Sequence, residues 1–439
     1  MQLIYHLMKA RRVVSSGYTQ SLAKLLSGSV ISQGIALAAM VVITRYYSAV
    51  ELGLFAVSVS ASTVLSVLAT GRYEFAVMNP KDEREAAIVI GAAAGLGLGF
   101  GAITAMVALV GSDILRMLDP RAPALALGIA ALTVVQSMFS VATKWANRSS
   151  AYGAITGSLV AISLVANGGP LLIPAMSIEP SEHHLIFFFG AAKIAGVLLI
   201  LSFTGRALSD ALRTASVVEF FGALRRHWKF PAFTLPHGLT SKLSPEIPIF
   251  FLAAFSGPAL AGFFSVARRA MNQPMHLLAT NVGHVFHRRL VGRTGGGSLS
   301  REMYVIFAMM AVIMVPVSGV VLVWGPQLFA WIFGSDFGTS GVIAQILLPA
   351  LIFRMMAAPV AYVFMVFGEQ WKMLILQLSH MALVMASFWV GHLAGNVWVA
   401  FWLYSGSSSL IYLATVLLAQ KIASGSALDY RRDIYAEAG

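Results

Sequence analysis

The sequence predicts an all-α, polytopic membrane protein with about twelve transmembrane helices in two six-helix bundles around a central cavity. Composition is the first observation. Of 439 residues, 58% are hydrophobic and 11% charged, whereas a soluble globular chain carries about 25% charged residues. That is too little charge to clothe a water-facing surface of this size. The second is run length: apolar stretches recur near the roughly 20 residues a helix needs to cross a bilayer. The third is the lack of barrel-type alternation. A backbone in hydrocarbon satisfies its own hydrogen bonds only as a helix or a closed barrel, so the spans are helical.

The spans are expected near 24–44, 52–70, 87–110, 123–142, 152–175, 185–204, 232–254, 259–282, 303–325, 341–366, 371–393 and 397–420. Lys9, Arg11, Arg12 and Lys24 precede the first. That run is too long for the apolar core of a signal peptide and further spans follow, so it reads as an uncleaved first helix. In the third, Gly91, Gly95 and Gly99 are four apart, a spacing that allows close helix packing. No strand precedes them, so a phosphate-binding loop is not implied. In the seventh, Pro231, Pro236, Pro245 and Pro248 predict kinks or a broken helix.

Lysine and arginine concentrate in the connections 71–86, 143–151, 205–230, 283–302 and 367–372 and at both ends, while the alternate connections hold only Arg45, Arg116 and Arg121. Both termini are therefore expected in the cytoplasm. The long connection 205–230 divides the chain into an N-terminal bundle (1–204), a cytoplasmic linker (205–230), a C-terminal bundle (231–420) and a cytoplasmic tail (421–439). "GLFAV" (53–57) and "GFFSV" (262–266) enter the second and eighth spans alike, which points to a parallel repeat about an axis along the membrane normal. The net charge of +12 is accounted for by these loops and implies no nucleic acid. There is no cysteine, which excludes disulfides and thiol chemistry. The histidines show no metal-ligand spacing with carboxylates, so no metal or cofactor is expected.

Charges inside the spans carry the functional reading: Lys193, Lys242, Arg268, Arg269 and Arg354, with one acid, Glu246. A central arginine or lysine costs about 2.5–3.5 kcal/mol on an insertion scale, so such residues face a bundle interior or a wet cavity. Lys193 lies near enough to a span end to snorkel. Lys242 and Glu246, four apart, are placed to neutralise each other on one helix. That leaves three arginines without an evident acid. Ser265, Arg269, Asn272, His276 and Thr280 share one helical face, so Arg269 is expected to meet cargo most directly, with Arg268, beside Asn272, orienting the site or pairing with another helix. Gln33, Gln136, Ser140, Gln377, His380, Ser405 and Ser409 add polar groups that glue helices or line a lumen. Together they suit an anionic solute, and arginine suits phosphate in particular.

The stretches "GSVISQGIALAAMVVITRYYSAVELGLFAV" (28–57), "GRYEFAVMNPKDEREAA" (71–87) and "IPIFFLAAFSGPALAGFFSVARR" (247–269) resemble Wzx-type polysaccharide flippases of the multidrug/oligosaccharidyl-lipid/polysaccharide exporter superfamily. The resemblance implies two bundles forming a V, alternating access, and an undecaprenyl diphosphate-linked oligosaccharide. That cargo would be turned from the cytoplasmic to the periplasmic leaflet of a bacterial inner membrane for O-antigen or exopolysaccharide assembly, alongside polysaccharide assembly proteins. On that reading Arg268, Arg269, Arg354, Lys242, Asn272, His276 and Gln33 would bind cargo. Glu246 would couple a proton or sodium gradient or merely neutralise Lys242, and Arg72 with Glu74 would form a helix-end ion network or a gate. The rivals are a drug/cation antiporter of the same superfamily, disfavoured by the positive spans; a peptidoglycan-precursor flippase, which often has two more spans; and a membrane glycan polymerase or ligase, which would need a large outer loop and catalytic groups that the sequence does not show.

Overall fold

The computed structural model describes residues 28–213, 215–291 and 299–437. They are helical, with no strand among them. The first half comprises α1 (Gly28–Tyr46), α2 (Ala49–Thr70), α3 (Glu83–Val110), the short α4 (Ser112–Leu118), α5 (Ala122–Arg148), α6 (Tyr152–Ala175), α7 (Glu182–Leu212) and α8 (Val217–Arg226). The second comprises α9 (Leu235–Leu243), α10 (Ile247–Ser256), α11 (Pro258–Val291), α12 (Leu299–Phe333), α13 (Gly338–Val360), α14 (Tyr362–Val366), α15 (Gln370–Leu393) and α16 (Val397–Glu437). Ten of the described helices are long and apolar enough to cross a membrane, and the chain is a multi-pass membrane protein.

The two expected spans missing from that set are the seventh and the eighth. The seventh is broken: a π-helical turn at Phe230–Thr234, then α9, an interruption at 244–246, then α10 with Pro248 in its first turn. Pro231 and Pro236 lack the N–H that a continuous ladder needs, and Pro245 disfavours helix at the residue before it. The eighth, α11, is 34 residues long but carries Arg268, Arg269 and Asn272.

By its contacts the chain forms two compact units. One contains the described residues up to Tyr47 together with Val57–Leu239; the other contains Ser48–Ala56 and the chain from Thr240 onward. The second unit thus takes the first turns of α2. There Gly53 and Gly262, the leading glycines of the two similar pentapeptides, lie backbone to backbone. A Cβ on Gly53 would overlap the Pro258 carbonyl, and one on Gly262 would overlap that of Ala49. Only glycine permits this crossing.

One end of the first unit is held by Val77, Ala87, Ile90, Val141 and Trp145, with Leu208 and Leu212 against them. The indole N–H of Trp145 donates to the Thr204 carbonyl at 3.3 Å. The glycines of α3 divide their tasks differently from the expectation of close packing at 91, 95 and 99. Gly97 and Gly101 meet Ser137, Met138 and Val134 of α5, whereas beside Gly95 and Gly99 there is open space. Adjacent odd positions were not distinguishable by spacing alone, because both sets recur every four residues.

The start of α8 carries a capping box. Ser216 accepts from the Glu219 N–H and Glu219 accepts from the Ser216 N–H at 2.8 Å. That backbone hydrogen bond, followed by one from Arg84, holds the Glu219 carboxyl below its ordinary range. Arg84 pairs with Glu219 at 2.8 Å, Arg226 pairs with Glu85, and Ala223 is buried among Ala76, Ile88 and Val89. Burial pushes the His227 imidazole below its ordinary pKa.

Candidate functional site

In the second unit the break before α10 places Glu246 opposite α11. Arg268 donates from Nη2 to Glu246 Oε2 at 2.9 Å and from Nη1 to the Pro245 carbonyl at 2.6 Å. The expected Lys242–Glu246 pair is therefore replaced. Four residues of separation bring side chains together only on a continuous helix, and the chain leaves the helix between α9 and α10. Lys242 makes no ion pair among the described residues.

A small cavity of about 30 Å³ lies beside this pair, lined by Arg268, Asn272, Arg354, Tyr404, Ser408 and Tyr412 among others. That is room for about one water. Arg354, from α13, is exposed and has no hydrogen bond or ion pair among the described residues. His380 contacts Ser408 Oγ at 3.0 Å through Nε2, and its ring lies 5.3 Å from that of Tyr412. The arrangement gathers two guanidinium groups, one carboxylate, two phenols and a hydroxyl on three helices and the α10 cap. Its net charge is positive.

Several residues take different places from those expected. Arg268 and Asn272, one turn apart, line the cavity, while Arg269 lies with its guanidinium 5.4 Å from the Phe55 ring. The polar stripe through Arg269 is a property of α11 alone, and the partner helices decided which arginine faces the cavity. The side chains of His276 and Thr280 lie outside the described residues. Tyr404, Ser408 and Tyr412 were missed by the sequence reading. Their spacing of four along one face of α16 was the available signal. Gln377 donates to Ser241 at 2.8 Å, and in the first unit Gln136 donates to Ser62 at 2.5 Å and accepts from Thr63 at 3.2 Å. These amides bind helices to one another. Gln33 has a buried Oε1 with no partner among the described residues. Lys193 packs over the Phe139 ring at 4.4 Å.

The first unit holds a second charged cluster. Gly71 (φ 55°) and Arg72 (φ 62°) are both left-handed, a strained conformation for arginine. The turn brings Arg72 to within 3.7 Å of Glu74, and the broad face of its guanidinium occupies the space a Cβ on Gly238 would take. Ser140 donates to Glu74 at 3.4 Å, Lys144 sits 4.1 Å above the Phe75 ring, and Arg148 donates to the Val77 carbonyl at 2.7 Å. Glu74 is only 1% exposed and its Oε2 has no hydrogen-bond partner among the described residues. Glu74 is thus a buried acid outside the apolar runs. It lies in a short turn, and its burial comes from the helices folded around it.

No protein-family model matches the sequence, and no curated protein matches it. Among solved structures, the lipid II flippase MurJ in an inward closed conformation superposes with a TM-score of 0.69 at 12% identity, covering 94% of this chain and 92% of that one. An inward-facing multidrug resistance MATE-family transporter of the MOP superfamily gives 0.55 at 15% identity, covering 91% and 95%. A MOP-superfamily transporter from Pyrococcus furiosus gives 0.54 at 14%, covering 92% and 95%. At these identities the likeness is one of fold: the chain has the all-helical fold of MOP-superfamily transporters.

Proposed function

We propose that this protein is a transporter rather than an enzyme, and that it flips an anionic lipid-linked oligosaccharide across the bacterial inner membrane by alternating access. The cargo is carried on undecaprenyl diphosphate and delivered from the cytoplasmic to the periplasmic leaflet for O-antigen or exopolysaccharide assembly. Both termini are cytoplasmic on this reading. The observation that carries it is the convergence of Arg268 and Arg354 on one polar cavity whose single carboxylate leaves net positive charge. A diphosphate offers oxygens to both guanidinium forks. The fold likeness to a lipid II flippase, at a higher TM-score than the MATE transporter, supports a lipid-linked cargo over a drug cation.

Glu246 and the phosphate would compete for Arg268. Protonation of Glu246 frees the guanidinium for cargo, and deprotonation reclaims it, which couples a proton to the cycle. The cavity as it stands admits only water, so cargo entry requires Arg268 to leave Glu246 and the walls to part. The test is complementation of surface polysaccharide in a flippase-deficient strain, with membrane abundance measured in parallel. Arg354→Ala should abolish export at near-normal abundance, Arg268→Ala should reduce export by more than any fall in its abundance, and Arg354→Lys should restore it in part. Full export by the Arg268→Ala/Arg354→Ala double variant would remove the cargo role.

A further inference from the structure

We propose that the groove between α2, α3 and α8 in the first unit is a binding slot for one acyl chain of an anionic inner-leaflet phospholipid. The cavity has a volume of about 600 Å³, within the range of ligand pockets. Gly91, Gly95 and Gly99 form its floor, Leu68 and Ala69 of α2 one wall, and Phe220, Phe221 and Leu224 of α8 its cap. Nothing occupies the space beside Gly95 and Gly99, while the Phe220 ring closes over Gly91. The slot is therefore walled on three sides, unlike an ordinary lipid-facing helix surface.

Its length selects the occupant. From Gly95, where the open space begins, to Ile103 the floor runs eight residues, about 12 Å at helical rise, within the roughly 15 Å of one leaflet of a 30 Å hydrocarbon core. A single acyl chain fits that depth, whereas the much longer undecaprenyl tail overruns it. The charge at the cap selects the headgroup. Val217, Val218, Phe221 and Trp228 are exposed apolar residues on or next to α8, the composition of a helix lying in a membrane interface. Beside them Arg225 and Lys229 are exposed and make no ion pair among the described residues, while Arg226 and Arg84 are held by Glu85 and Glu219. Two free cations four residues apart, on the side that the lysine and arginine distribution assigns to the cytoplasm, complement an anionic headgroup.

The full-length protein, purified in detergent, is tested with dioleoyl phosphatidylglycerol and dioleoyl phosphatidylcholine as probes, reading retained lipid by mass spectrometry and thermal stability by melting. Phosphatidylglycerol should be retained and should raise the melting temperature more than phosphatidylcholine does. Gly95→Leu/Gly99→Leu projects side chains into the open space, where no atom lies within 4 Å of either added Cβ, so it should remain folded and lose both retention and the shift. Arg225→Gln/Lys229→Gln, on an exposed surface, should keep a bound chain but lose the preference between the two headgroups. Equal retention of phosphatidylglycerol by the filled variant would overturn the slot, and equal stabilisation of the wild type by both lipids would overturn the anionic assignment. Displacement of phosphatidylglycerol by equimolar undecaprenyl phosphate would overturn the phospholipid in favour of the carrier lipid.

Discussion

The Arg268–Glu246 pair allows a quantitative test of whether the acid beside the cavity is structural, because removing either partner takes the opposite charge away from the other. The N–O distance is 2.9 Å, and the side chains are 24% and 16% exposed. Removing one partner of a fully buried pair costs about 3–5 kcal/mol, mostly as an uncompensated charge, whereas exposed pairs are worth under about 1 kcal/mol. Partial exposure places Glu246→Gln between these limits, at about 2 kcal/mol of destabilisation, or roughly a 30-fold change in the folded-to-unfolded ratio. Arg268→Gln should cost a similar amount, since it takes the guanidinium from a half-buried carboxylate and from the Pro245 carbonyl. The double variant strands no charge, so its cost should fall short of the sum by about 1–2 kcal/mol of coupling. Equilibrium unfolding in mixed micelles at neutral pH, run on all four proteins, completes the cycle. If Glu246→Gln is as stable as the wild type and the two changes add, the pair contributes nothing to the fold. In that case the charge-compensation argument for the cavity fails with it.

Two further outcomes follow from local geometry. Gly262→Ala places a methyl inside the Ala49 carbonyl, so the helices must separate. The expected loss is about 1–3 kcal/mol, read as a lower melting temperature, and an unchanged value would mean that the crossing of α2 and α11 yields without cost. His227 tests the linker. Burial lowers its folded pKa below the ordinary 6.5, so its contribution to α8 docking is full above pH 6.5 and is lost as pH falls through the folded value. Hydrogen exchange of the α8 amides should accelerate over that window in the wild type and not in His227→Phe. Equal acceleration in both proteins would show that His227 is not the titrating group.

The sequence by itself determined the class of protein, because composition and run length are sums over the chain that need no neighbours. Apolar runs of about 20 residues can satisfy their backbones in lipid only as helices, and the twelve expected segments are helical where they are described, apart from the interruption at 244–246 in the seventh and a turn at Ala361 in the tenth. The proline-dense seventh segment was legible as a break for the same reason, since a missing N–H is a local fact. The cationic character of the eighth span and of Arg354 was equally plain, because charges so deep stand out against their apolar surroundings. Which charge meets which depended on tertiary structure. Helical periodicity gave Arg269 a polar face, but the helices around α11 turned Arg268 and Asn272 toward the cavity and set Arg269 against Phe55. Spacing paired Lys242 with Glu246, yet the interruption at 244–246 handed that carboxylate to Arg268, 22 residues on. The burial of Glu74 was invisible in a polar loop until α5 and α9 closed around it. The open face of the α3 glycines was likewise invisible, because a stripe of glycines records only that side chains are missing, and the neighbouring helices decide whether the space is filled.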